Sequence, residues 1–220
     1  MTDHARFEVF SRSEAGGHPH NEDAFAVQVL EGDPQCCLCF VADGQGGQPG
    51  GSAAARLACQ TLLAEAAPLS PTKLLQPMTW DTLLRAVDRT VAADRESGFT
   101  TLVACCLGQS YLCGASNGDS AAVLLQQGQP GLILTDRQEK NPPVGCGGAA
   151  VVPFACRVSR PWTYLAMSDG VWKFAGWERI LSLSPTRPGG EILDALFESA
   201  RLPRGGGLQD DFTLVAIQLS

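Results

Sequence analysis

The chain has 220 residues, 45% of them hydrophobic, enough for one core and consistent with one domain over 1–220. With 16 basic against 23 acidic residues and a formal net charge of −7, it lacks the basic stripe that a nucleic-acid partner needs. No window is apolar and long enough to span a membrane, and the start, MTDHARFEVF, has no signal-peptide pattern, so a cytoplasmic chain is expected.

In chain order, apolar runs predict strands near 6–11, 23–30 and 36–42. A helix over 52–66 follows, then a clearer one over 80–96, whose apolar stripe is Trp80, Leu83, Leu84, Val87 and Val91. A block of strands comes next, near 100–107, 110–116, 120–126 and 131–135. The linking stretches GQS and NGDS read as hairpin turns. Segment 136–160, rich in Pro and Gly, reads as a surface loop. A strand near 163–168, a short helix at 176–183, a helix at 190–200 and a strand at 212–219 complete the chain. This order predicts an α+β fold, with helices layered on largely antiparallel sheets. Of the nine cysteines, Cys36, Cys37, Cys39, Cys105 and Cys106 lie in apolar runs. They read as small buried hydrophobes of a reducing compartment, with zinc or redox roles as the lesser alternative.

Carboxylates recur where apolar runs meet turns: Asp23 in HNEDAF, Asp43 in FVADGQGG, Asp119 in SNGDSAA, Asp169 in AMSDGVW, and Asp210 with Asp211 in LQDDFTL. Any one of them could simply cap a turn. If they converge they repel one another unless cations bind between them, and an all-oxygen set suits Mg²⁺ or Mn²⁺.

Taken together, NEDAF, VADGQGG, FTTLVACCLGQSYLCGASNGDSAAVLL, LAMSDGVW and DDFTLVAIQL resemble the ordered motifs of the metal-dependent PPM protein phosphatases, the protein phosphatase 2C type, in a compact, bacterial-like form. The resemblance implies an αββα sandwich of two packed antiparallel β-sheets flanked by helices. It implies two Mg²⁺ or Mn²⁺ ions, or three in some members. Asp43 would bridge two of them, helped by the carbonyl of Gly44. Asp23, Asp169 and Asp210 would complete the catalytic set, Glu22 would bind through water in the outer shell, and Asp119 would join Asp169 around a third ion. Asp211, where the family has Asn, is not expected to be a primary ligand. The reaction implied is hydrolysis of phosphoserine and phosphothreonine in proteins by a water held between two divalent cations. The implied partners are phosphorylated proteins, a Ser/Thr kinase or its substrates, with no nucleic acid and no membrane.

The chain departs from that pattern in four places. His18 stands where an Arg usually contacts the substrate phosphate, so either phosphate binding is weaker or another cation, such as Arg12, helps. Gln45 replaces a His proposed as general acid in many eukaryotic members. The flap before LAMSDG is short, which implies an open cleft. Lys173 stands where many members have Asp, and reads as a minor change because the position is no primary ligand. Three functions compete: an active phosphatase, a catalytically weak or inactive module that binds a phosphoprotein or regulatory partner, and another acidic metal enzyme such as a nuclease. The retained carboxylates favour the first.

Overall fold

The computed structural model describes residues 6–17, 20–32, 34–47 and 49–219. Three strands open the chain, β1 (Phe7–Glu14), β2 (Asp23–Leu30) and β3 (Cys36–Asp43). Helices α1 (Gly51–Ala66), α2 (Pro71–Leu74) and α3 (Pro77–Ala93) follow. Then come β4 (Leu102–Leu107), β5 (Tyr111–Asn117), β6 (Ala121–Gln126), β7 (Leu132–Ile133), β8 (Val152–Arg157) and β9 (Trp162–Met167). Helices α4 (Asp169–Ala175), α5 (Trp177–Leu181) and α6 (Gly189–Ala200) lead to the last strand, β10 (Phe212–Leu219). The strands form two five-stranded antiparallel sheets, ordered β1-β10-β9-β6-β7 and β2-β3-β4-β5-β8. The expected sandwich with outer helices is what forms.

Side-chain alternation explains the layers. On β3, Cys37, Cys39 and Val41 face the other sheet, where they meet Tyr164, Ala166, Val215 and Ile217. Cys36, Leu38, Phe40 and Ala42 face outward and pack beneath α1 and α3. The same division on β10 sends Phe212, Leu214 and Ala216 toward α4 and α6. Central strands buried on both faces must be continuously apolar, which is why FVA and CCLC show no polar alternation. Cys36 and Cys39, though three apart, lie on opposite faces of β3 and cannot converge on one ion. Cys36, Cys37, Cys39, Cys105 and Cys106 are all buried, as their apolar surroundings suggest.

The structure corrects several local expectations. The GQS turn does join a hairpin, β4 to β5. NGDS does not, because β5 belongs to one sheet and β6 to the other, so the turn carries the chain across the sandwich. Segment 136–160 contains β8, an edge strand against β5. Pro153, which cannot donate a ladder hydrogen bond, disguised it, and edges are where such a residue is tolerated. Helix α3 starts earlier than its apolar stripe because Pro77 occupies its first turn, and it ends at Ala93.

Between β7 and β8 the flap is pinned rather than loose. Asp88, buried on α3 at 3% exposure, accepts hydrogen bonds from the backbone N–H groups of Gly145 (2.8 Å), Gly147 (3.1 Å) and Ala149 (3.0 Å). Asn117 donates to the carbonyls of Pro142 (2.8 Å) and Ala150 (2.9 Å) and accepts from the Val144 N–H (3.1 Å). Asp88→Ala leaves three backbone donors without their acceptor, one of them, at Ala149, buried. It is expected to lower stability by about 2–3 kcal/mol and to speed amide exchange at 145–149 by at least tenfold. Unchanged exchange there would mean that the flap is held by Asn117 alone.

Candidate functional site

Antiparallel pairing brings the carboxylates to one end of the sandwich. Asp23 begins β2 and Asp43 ends β3, and the two are direct partners across the ladder. Asp169 follows β9, Asp210 and Asp211 precede β10, and Asp119 lies in the crossing from β5 to β6. One sheet therefore supplies Asp23 and Asp43, the other Asp169 and Asp210, and Asp119 bridges them. Glu22, Asp43, Gly44, Asp119, Asp169 and Asp210 line a common cavity of about 480 Å³, with Gln45 and the flap residue Lys140 on its wall. Asp23 lies just behind, 9% exposed.

The backbone holds these groups tightly. The Asp43 N–H donates to Thr101 Oγ1 at 3.0 Å, and the Asp43 carbonyl accepts from Thr100 Oγ1 (2.8 Å) and the Thr101 N–H (2.9 Å). The following N–H, of Gly44, donates to the Glu22 carbonyl at 3.2 Å. Glycine is needed at Gly44 by close approach: a Cβ there would sit 2.4 Å from the Gly51 carbonyl. The second Asp-Gly pair follows the same rule, since a Cβ on Gly170 would come within 2.0 Å of the Asp211 carbonyl oxygen. Asp211 itself is spent on backbone. Its carboxylate accepts from the N–H groups of Gly16 (2.8 Å) and Glu22 (2.6 Å), tying the loop before β2 to the loop before β10.

Electrostatics mark Asp43 and Asp23 as the strained members. Burial, then the charges of Asp23, Asp169, Asp119 and Asp210, push the Asp43 carboxyl up to about 9. Burial pushes Asp23 up to about 7, although the nearby Ser168 and Thr213 hydroxyls work against it, while Asp211 and Asp169 add to it. Those hydroxyls stand outside ordinary hydrogen-bond geometry, and both Asp23 carboxylate oxygens are buried without a partner. Asp169 is raised chiefly by burial, offset by Lys173. Among the described residues no group of three or more acidic, Cys or His side chains is already drawn up around an ion position. The donor chemistry nevertheless fits a hard divalent cation: oxygen only, crowded, and with one carboxylate wholly unpaired.

The structure thus brings Glu22, Asp23, Asp43, Gly44, Asp119, Asp169 and Asp210 to one locality. His18 lies outside the described residues. Arg12 does not serve as its substitute, because its guanidinium stacks 3.3 Å above the Phe197 ring and pairs with Glu14 (3.4 Å) and Asp194 (3.5 Å). Among the described lining residues the basic one is Lys140, which sequence reading missed inside a segment taken as mere loop. Thr100 and Thr101 were also missed as supports of Asp43, although they lie in the quoted FTTLV.

Residues 33–220 match the model of a family described as Stage II sporulation protein E (SpoIIE). No curated protein sequence matches the chain. Among solved structures, the Mycobacterium tuberculosis serine/threonine phosphatase PstP/Ppp superposes with a TM-score of 0.73 at 23% identity, covering 96% of this chain and 98% of that one. The catalytic domain of PstP in complex with two manganese ions gives 0.72 at 22% identity, covering 98% and 99%. RsbX in complex with magnesium gives 0.73 at 14% identity, covering 97% and 96%. At these identities the likeness is one of fold, and it agrees with the resemblance to PPM phosphatases.

Proposed function

Since the chain belongs to the Stage II sporulation protein E (SpoIIE) family, we propose that it is a Mg²⁺- or Mn²⁺-dependent hydrolase of phosphoserine and phosphothreonine in proteins. The observation that carries this reading is the Asp23–Asp43 pair, two carboxylates facing each other across a ladder, one of them buried with no partner. Such a pair is costly unless positive charge settles on it. Structural neighbours of the same fold include serine/threonine phosphatases, one of them holding two manganese ions.

In this reading Asp23, Asp43, Asp169, Asp210 and the Gly44 carbonyl would hold the cations, with Glu22 one shell further out. A bound divalent cation acidifies its water toward neutral pH and stabilises negative charge growing on a phosphoryl group. The chain's own part is to fix the carboxylates through Thr100 and Thr101 and to leave an open cavity of about 480 Å³ in front of them, wide enough for a phosphorylated side chain. Gln45 lines that cavity and can donate a hydrogen bond but no proton in an acid's role, so good leaving groups should be favoured. A phosphorylated kinase or one of its targets is the proposed protein substrate. Among the described residues no helix is long and apolar enough to cross a membrane.

The test is phosphate release from a phosphothreonine peptide by metal-stripped protein, with Mn²⁺, Mg²⁺ or neither added and Asp210→Asn as control. Release should require metal and vanish in the control. Folded protein that binds Mn²⁺ yet releases nothing would instead favour a module that binds a phosphoprotein or regulatory partner.

A further inference from the structure

The carboxylates around the cavity are not alike in what neutralises them. At one end, Asp23 is buried without a partner and lies across the ladder from Asp43. At the other end each carboxylate already has an ammonium. Lys173 lies one turn beyond Asp169 on α4, an i,i+4 placement that puts both on one helix face, and its Nζ bonds to Asp169 Oδ2. Lys140 reaches from the flap to Asp119 Oδ2, with Nζ 2.5 Å away.

These contacts sit in a braced frame. The indole N–H of Trp172 donates to the Asp119 carbonyl at 2.9 Å, tying the inter-sheet crossing to α4. The Lys173 ammonium lies 5.7 Å from the centroid of that indole. Lys140 belongs to the flap that Asn117 holds through Pro142 and Val144. Both lysines are therefore offered to the acidic end by anchored segments.

We propose that Lys173 and Lys140 are built-in cations that take the place of a metal ion between Asp169 and Asp119, so that the chain binds two exchangeable divalent ions, among Asp23, Asp43, Asp169 and Asp210, and no third. The proposal rests on the phosphatase reading and refines it. It also revises two sequence expectations: Asp119 is not a metal ligand, and Lys173 is not a minor change. A divalent ion placed between Asp169 and Asp119 would face two ammonium groups and would have to displace both from their carboxylates. Fixed ammonium groups supply the compensating charge at any metal concentration.

Counting bound Mn²⁺ on the whole chain, by equilibrium dialysis and by titration calorimetry, tests this without measuring activity. The wild type should saturate at two ions per chain. Lys173→Asp, which replaces the ammonium with a further carboxylate one turn from Asp169, should saturate at three. Three ions on the wild type, or still two on Lys173→Asp, would overturn the proposal while leaving the phosphatase reading intact. No bound Mn²⁺ on folded wild type would overturn both. If Lys173→Asp fails to fold, Lys140→Met with Lys173→Met serves instead. Removal of both ammonium groups should admit a third, weaker ion, and a count of two would count against the proposal.

Discussion

Asp43→Asn should abolish phosphate release, by about a thousandfold or more, on the order of 4 kcal/mol in the barrier. It should also make the metal-free protein more stable at pH 8. The two signs have one cause. Asp43 is held up by burial and by four neighbouring carboxylates, so its ionised form is unfavourable in the folded state. At pH 8 the folded chain must therefore keep on Asp43 a proton that the unfolded chain releases; an amide of the same shape removes that cost and leaves untouched the backbone bonds to Thr100 and Thr101. It also replaces one carboxylate oxygen of a cavity-lining residue with an amide nitrogen, which cannot bind a cation. Each kcal/mol regained should raise the melting temperature by roughly 2–4 °C in a chain of this size. Lost activity together with a lower melting temperature would point to a folding defect and would not support a catalytic role.

The second large effect is a fall in metal-free stability as pH rises. Asp43 and Asp23 titrate in the folded state at about 9 and about 7, against an ordinary value of 3.8. Below 3.8 both carboxyls are protonated folded or unfolded, so they exert no linkage. Above it the unfolded chain releases protons that the folded chain keeps, and folding becomes less favourable with each pH step. Asp23 stops contributing to the slope near 7 and Asp43 near 9. Lys173, raised on balance by Asp169 although burial opposes it, keeps its proton in both states across this window and does not alter the sign. Melting temperatures of metal-stripped protein should therefore drop from pH 5 to pH 8, and Mn²⁺ at pH 8 should restore them. A flat or rising profile without metal would mean that the two carboxylates are better solvated than their burial implies.

Much of this was legible in the sequence where burial and chemistry coincide. FVADG and LAMSDG show an apolar run leading to a carboxylate and a glycine, and both glycines prove to be forced by backbone approach. The layered fold could be read from the element order, since each helix presents one apolar stripe and each central strand two apolar faces. Less legible was anything set by pairing between distant segments. NGDS looks like a hairpin turn because turn residues report local bending and not which sheet the next strand joins. The strand Val152–Arg157 was hidden by Pro153. Asp88 reads as a polar position on an amphipathic helix, and only the fold reveals three backbone donors aimed at it. Lys140 carried no local signal at all. Its meaning comes from Asp119, which lies 21 residues earlier in the chain.

The division of the carboxylates between the two sheets has a consequence for how activity is gained and lost. Asp23 and Asp43 ride on one sheet, Asp169 and Asp210 on the other, and the two are clasped by the thiol-, tyrosine- and valine-lined layer between them. Neither sheet owns a whole site. On the proposed function, catalytic competence would be a property of the closed clamshell: it would arise only once the halves dock, and a slip of one half against the other would extinguish it with every proposed ligand residue still in place. Turnover, on that reading, would double as a gauge of whether the two leaves are shut.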